Sequence, residues 1–230
     1  MTFLDRIALF SHYDLAALAL LFGLWIGIGW RIEYASARIP SMSMLMAGYR
    51  RLWMRELVTR QPRIFDAQIL STLRQGTAFF ASTCVIALGG TLALIGNADQ
   101  LAGVAEDITF TDQPAIVWEL KLMVLALFLT NGFLKFVWAN RLFGYCSVLM
   151  AAVPNDIKDS KANHRADQAA EINIAAARSF NRGLRAMYFA LAAAAWLAGA
   201  GALALAAVVT CIVIWRREFA SRSRKILLDA

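Results

Sequence analysis

Charge is scarce in this chain of 230 residues: only 17% are Asp, Glu, Lys or Arg, against about 25% in soluble domains. That deficit argues against the solvated surface of a water-soluble domain. Histidine is scarcer still, with only His12 and His164. A bis-histidine haem needs two imidazoles facing each other at membrane depth, whereas His12 precedes the first apolar run and His164 lies in a polar segment, so no haem is expected. The three cysteines (Cys84, Cys146 and Cys211) all lie in apolar runs without CxxC or Cys/His spacing. Such thiols read as small buried hydrophobes, neither a disulfide framework nor a metal site. Nucleophile–base sets, Gly-rich phosphate loops, HExxH and Walker patterns are missing too, so the sequence points to no cofactor and no catalytic residue. The N-terminal residues before the first apolar run carry no basic n-region, and no Ala-x-Ala exit follows it. That run is therefore read as retained, not cleaved.

What is present is apolar residue in blocks: hydrophobic residues make up 60% of the chain. Leu15–Trp30 is sixteen residues without a charge, with Gly23 and Gly27 spaced as GxxxG. Arg74 and Asp99 bracket 24 uncharged residues. Ala115–Trp138 carries Glu119 and Lys121 near its start and Lys135 near its end, so its charged ends must lie at an interface or snorkel. Apolar character then continues through Leu142–Pro154, as a helical extension or an interfacial segment. The last block, Ala186–Trp215, has thirty residues without a charge. As one helix it would measure about 45 Å against a hydrocarbon core of about 30 Å. Its character changes at Gly199-Ala200-Gly201, where a helical hairpin is the alternative.

Net charge is +7, and the basic residues sit beside apolar blocks, which points to membrane orientation and anionic lipid headgroups and away from nucleic acid. Residues 31–76 hold eight basic and three acidic residues; 97–115 hold four acidic (Asp99, Glu106, Asp107, Asp112) and none basic; 135–185 hold eight basic and four acidic. This alternation places the N-terminus outside and the basic loops in the cytosol. The membrane expected is a bacterial inner (plasma) membrane. A hairpin in the last block keeps the basic tail RREFASRSRK in the cytosol; a single tilted helix exports it.

The fold class expected is all-α, a polytopic transmembrane helical bundle with extended cytosolic helices. It forms a single membrane domain over 1–230, with spans near 13–32, 75–96, 115–138 and 186–215 and cytosolic helical segments near 41–74 and 156–185. Four long crossings or five are both open. Ser41–Arg60 reads as an amphipathic helix, with Trp53 among its apolar residues and Arg50, Arg51 and Arg55 on its polar side. It suits an anionic lipid surface, or packing on its own bundle. Pro62 is expected to start a helix that runs unbroken into the second span. Over Asp156–Arg185, His164, Asp167 and Glu171 share one helical face. Their expected work is salt bridging to arginines, ahead of a cation or proton site, with Asp156 or Ser160 as helix cap. Asp66 is placed to pair with Arg63 or with an arginine of that second helix.

The strings RLWMRELVTRQPRIFDAQILSTLRQGTAFFAST (51–83) and ANHRADQAAEINIAAARSFNRGLRAMYFALAAAAW (162–196), with the WRREFASRS tail, resemble the uncharacterised membrane-protein family called domain of unknown function 599. The resemblance covers most of the chain and implies no chemistry.

Asn131 and Lys135, which share a face with Trp138, and Arg141 one turn past Trp138 are the candidates for a polar pathway, because ionisable groups at membrane depth are costly to keep there. The favoured function is passage of a small ion or solute in a homo-oligomer, as a channel or transporter. The alternative is a non-catalytic scaffold or accessory subunit that binds membrane proteins or anionic lipids. A lipid-modifying enzyme ranks third, since His164, Asp167 and Glu171 would be its only acid–base group.

Overall fold

A computed structural model describes residues 9–36, 38–100, 102–103 and 113–228. The acidic residues Glu106, Asp107 and Asp112 fall outside them. The described residues form seven α-helices: α1 (His12–Glu33), α2 (Met42–Glu56), α3 (Ile64–Ile95), α4 (Ala115–Ala151), α5 (Ser160–Ala194), α6 (Ala200–Phe219) and α7 (Arg222–Leu228). A 3-10 turn, Ala195–Ala198, lies between α5 and α6, and no strand occurs among the described residues. The fold is an all-α bundle. Four stretches, α1, α3, α4 and Ala200–Leu228, are long and apolar enough to cross a membrane.

Local chemistry sets the helix starts. At α1, Ser11 and Asp14 form a capping box: Asp14 N–H donates to Ser11 Oγ (3.1 Å), and Ser11 N–H donates to Asp14 Oδ2 (3.2 Å). Ser41 caps α2, its Oγ accepting from Met44 N–H (3.3 Å) and donating to the Ile32 carbonyl (2.9 Å). The cap of α5 is Asp159, neither Asp156 nor Ser160. Its Oδ1 accepts from Lys161 N–H (2.8 Å), because the helix begins one residue after it, while Asp156 closes a local turn onto Lys158 N–H (2.9 Å). The α3 helix does run unbroken from Ile64, and the apolar residues after Trp138 extend α4 without interruption.

The chain divides into two compact units. One comprises 1–31, 83–132 and 184–216; the other 32–82, 133–183 and 217–230. In the first unit Phe128 is fully buried between Phe22 (5.4 Å between centroids), Trp25 (5.1 Å) and Phe189 (6.3 Å). Leu21, Cys84, Leu122 and Leu203 are also fully buried in this unit.

The second unit has an alanine face. Ala162, Ala166, Ala169 and Ala170 of α5 pack against Met54, Leu57, Phe143 and Cys146. Small side chains at this spacing let helices approach closely. α2 lies antiparallel to α5: Ser43 meets Asn181 (3.3 Å), Arg51 meets Glu171 (2.7 Å) and Arg55 meets Asp167 (3.3 Å), ascending on one helix and descending on the other. Phe80, Phe136 and Phe180 form a second aromatic group, and Gly183 lies under the Phe136 ring, where a Cβ would come within 2.7 Å of it.

The last apolar block is two helices. Gly199, at φ 109° and ψ 171°, ends the 3-10 turn in a conformation that only glycine adopts without strain. Asn181 and Glu218 both hydrogen-bond Ser43, so the chain doubles back between them as a helical hairpin.

Candidate functional site

The first unit has an open cavity of about 650 Å³ between α1, α4 and the start of α6, with Tyr13, Leu20 and Gly201 exposed at its mouth. Asp14, Gln113, Lys121 and Gly199–Gly201 are on its wall. Lys121, expected at or snorkelling to an interface, is turned into the first unit. It is 4% exposed, its ammonium donates to Gln113 Oε1 (3.2 Å) and lies 4.5 Å from the ring centre of Trp118. Among the described residues no carboxylate comes within the 4.0 Å of an ion pair with it. Asp14 is held on another side. Its Oδ1 accepts from the Trp196 indole (2.7 Å), and its Oδ2 accepts from the Ser11 hydroxyl (2.6 Å). A buried ammonium and a fixed carboxylate thus line one cavity without touching.

The second unit has a cavity of about 740 Å³ lined by Gln61, Arg63 and Asn155 with Leu57, Leu70 and Met150. Arg63 has structural work there. Its guanidinium donates to the carbonyls of Val153 (2.7 Å) and Pro154 (2.9 Å), and Arg165 takes Ala152 (2.7 Å), so two arginines satisfy carbonyls just past the end of α4. The partner of Asp66 is therefore Arg60, not Arg63 or an α5 arginine, and the Trp53 indole donates to the same carboxylate oxygen (2.6 Å).

Of the residues expected to meet a lipid surface, Trp53 is committed to Asp66, and Arg50 turns inward to Asn173. Asn173 in turn donates to Cys146 Sγ (3.5 Å), whose thiol reaches the Ala169 carbonyl (3.5 Å). Burial pulls the Arg50 guanidinium below its ordinary value. Arg51 and Arg55 pair with Glu171 and Asp167, so one face of α5 and one of α2 account for both carboxylates. His164 is exposed, and among the described residues no group of three His, Cys, Asp or Glu side chains could hold a metal. Arg182 is locked by Glu33, which holds its guanidinium above its ordinary value.

Asn131 and Lys135 are half-buried on α4, in the first and second unit respectively. The Lys135 carbonyl accepts from Ser179 (2.9 Å), and its ammonium makes no ion pair among the described residues. Arg141 is exposed and donates to the Tyr145 hydroxyl. The Asp14–Lys121 cavity was missed from sequence. Its signals were the Ser11-x-x-Asp14 box before an apolar run, a lysine two residues past Glu119 inside helical sequence, and the Gly-Ala-Gly break.

These features define an all-α bundle with four helices able to cross a membrane and a charged cavity set among apolar side chains. Within that class the chain belongs to the family described as protein of unknown function DUF599, which matches residues 16–223. No curated protein and no solved structure matches the chain.

Proposed function

We propose that this is an integral membrane protein that passes a small ion or solute across the bilayer. The observation that carries the reading is Lys121: an ammonium in a helix long and apolar enough to span, buried beside a cavity and without an ion-pair partner among the described residues. Ionisable groups kept at such cost mark pathways more often than they mark packing. Asn131, Lys135 and Arg141 follow on the same helix and are the further candidates for the route. Phe128 is fully buried in the first unit, which favours an occluded carrier or passage between copies over an open bore through that unit. In this reading the chain self-associates in a bacterial inner membrane with its basic segments in the cytosol. Exposed Gly89 and Gly90 on α3 suit close approach of a second copy.

The scaffold reading, which relied on a basic lipid-binding α2, has less support, since Arg50 and Trp53 are engaged inside the protein. Osmotic swelling of proteoliposomes in chloride, acetate and glycine tests transport. The protein should accelerate swelling for at least one solute, and Lys121→Met should lower that rate about tenfold or more, the loss of one buried charge–ligand contact. Rates equal to protein-free vesicles for all three would overturn the proposal, and a normal rate in Lys135→Ala would take Lys135 off the route.

A further inference from the structure

The cavity of the first unit has charge of both signs on its wall, and that restricts what fits it. Lys121 brings an ammonium with three N–H groups, of which Gln113 takes one. The start of α6 adds to it. Gly199, Ala200 and Gly201 line the cavity at the amino end of a 20-residue helix, where the first N–H groups have no intrahelical acceptor and the helix dipole is positive. A Cβ built on Gly201 meets no atom within 4 Å, so that backbone is open to approach. Asp14 supplies the opposite charge. It is fixed by Ser11 and Trp196, which prevents it from swinging across to neutralise Lys121.

Opposite charges that face one cavity without closing on each other are a poor arrangement for stability alone. A direct pair would recover more of the desolvation cost. A molecule bearing both charges recovers it at both walls. The other lining residues, among them Ala17, Leu20 and Ala204, offer an apolar bed for a short aliphatic spacer. The volume of about 650 Å³ falls in the usual range for a small-molecule site, roughly 300–1,000 Å³.

We propose that this cavity binds a small zwitterion, its carboxylate held by Lys121 and the start of α6 and its ammonium by Asp14. The proposal deepens the transport reading and rests on it for its biological meaning, but binding is measured separately from flux. The purified protein in detergent micelles is melted with glycine, β-alanine or 4-aminobutyrate, a series in which the two charges move apart, and with acetate, methylammonium or phosphoethanolamine. At a hundredfold excess over Kd, at least one amino acid should raise the melting temperature by roughly 5–10 °C, while acetate and methylammonium leave it unchanged.

Lys121→Met should abolish the shift without loss of fold, since a buried ammonium with no ion pair among the described residues is replaced by an apolar side chain of similar length. Gly201→Leu, which keeps both charges but enters the open space, should abolish it as well. Glu171→Gln, in the other unit, should keep it. An equal shift with acetate would overturn the zwitterion in favour of a plain anion site. A shift confined to phosphoethanolamine would overturn it in favour of a lipid headgroup, and no shift with any amino acid would overturn it outright. Binding without flux would leave the site standing and remove the transport reading; flux without binding would do the reverse.

Discussion

Asp66 has no exposed surface, and one of its oxygens receives both the Trp53 indole and the Arg60 guanidinium. Asp66→Ala leaves a buried indole N–H and a partly buried arginine without their acceptor. The expected cost is about 2–4 kcal/mol, below the full penalty for a buried pair because the Arg60 side chain is 35% exposed and water screens part of it. Chemical denaturation in mixed micelles measures this. The Arg51–Glu171 and Arg55–Asp167 pairs are roughly half-exposed, and removing either by Glu171→Gln or Asp167→Asn should cost less than about 1 kcal/mol. At this scale the sequence was legible in part. Asp167 and Glu171, which helical periodicity puts on one face, both pair with arginines of α2, whereas His164 on the same face makes no ion pair among the described residues. Which arginines would meet them, and that Arg60 and not Arg63 would take Asp66, depends on α2 lying antiparallel to α5 and on the carbonyls past α4 claiming Arg63. No local pattern encodes either.

Among the helices, three glycines with different surroundings give three different expectations. At Gly183 a methyl group would meet the Phe136 ring at 2.7 Å, so Gly183→Ala should destabilise by about 1–3 kcal/mol through forced repacking of the ring. At Gly90, mid-way along the latter half of α3, a Cβ meets nothing within 4 Å, and Gly90→Ala should stabilise by about 0.5–1 kcal/mol through helix propensity. The same substitution also tests self-association: if α3 packs a second copy at this face, the gain is replaced by weaker association in cross-linking. At Gly199 the space is open but φ is 109°, so Gly199→Ala should cost about 1–3 kcal/mol. Helix existence was the most legible layer of all, since long apolar runs and caps are local. The break at Gly199 was visible as a change in composition, but the conformation that ends the helix there is not. The Asp14–Lys121 cavity was invisible because its residues come from sequence positions far apart, and each alone looks like an ordinary helix boundary.

For the molecule as a whole, the hairpin in the last apolar block has a topological consequence. The first arm is short: Ala186–Ala198 would rise only about 20 Å, less than the hydrocarbon core of about 30 Å, whereas the 20 residues of α6 rise about 30 Å. The tail around Glu218 meets Ser43 of α2, a contact that requires both to lie on one side of the bilayer if the last apolar block crosses it as a hairpin. A reporter fused after residue 228 should therefore be accessible from the same side as a tag in the 57–63 segment; opposite accessibility would sink the hairpin as the membrane arrangement. The charge alternation along the chain favours the same arrangement as an expectation, with a single tilted last helix as the alternative, and the reporter decides between them. The division into two compact units was not legible, since its boundaries fall within continuous helices and leave no linker or change of composition.

The contacts of α2 also bear on how the chain is made. Ser43 is bound by Asn181 and Glu218, and Arg224 Nε donates to the carbonyl of Pro40 (2.9 Å), the residue just before the cap of α2. Translation produces Pro40 and Ser43 well before these partners. A nascent chain stalled before Glu218 would lack both the Glu218–Ser43 and the Arg224–Pro40 contacts, so the start of α2 is fastened only after Glu218 and Arg224 have been added.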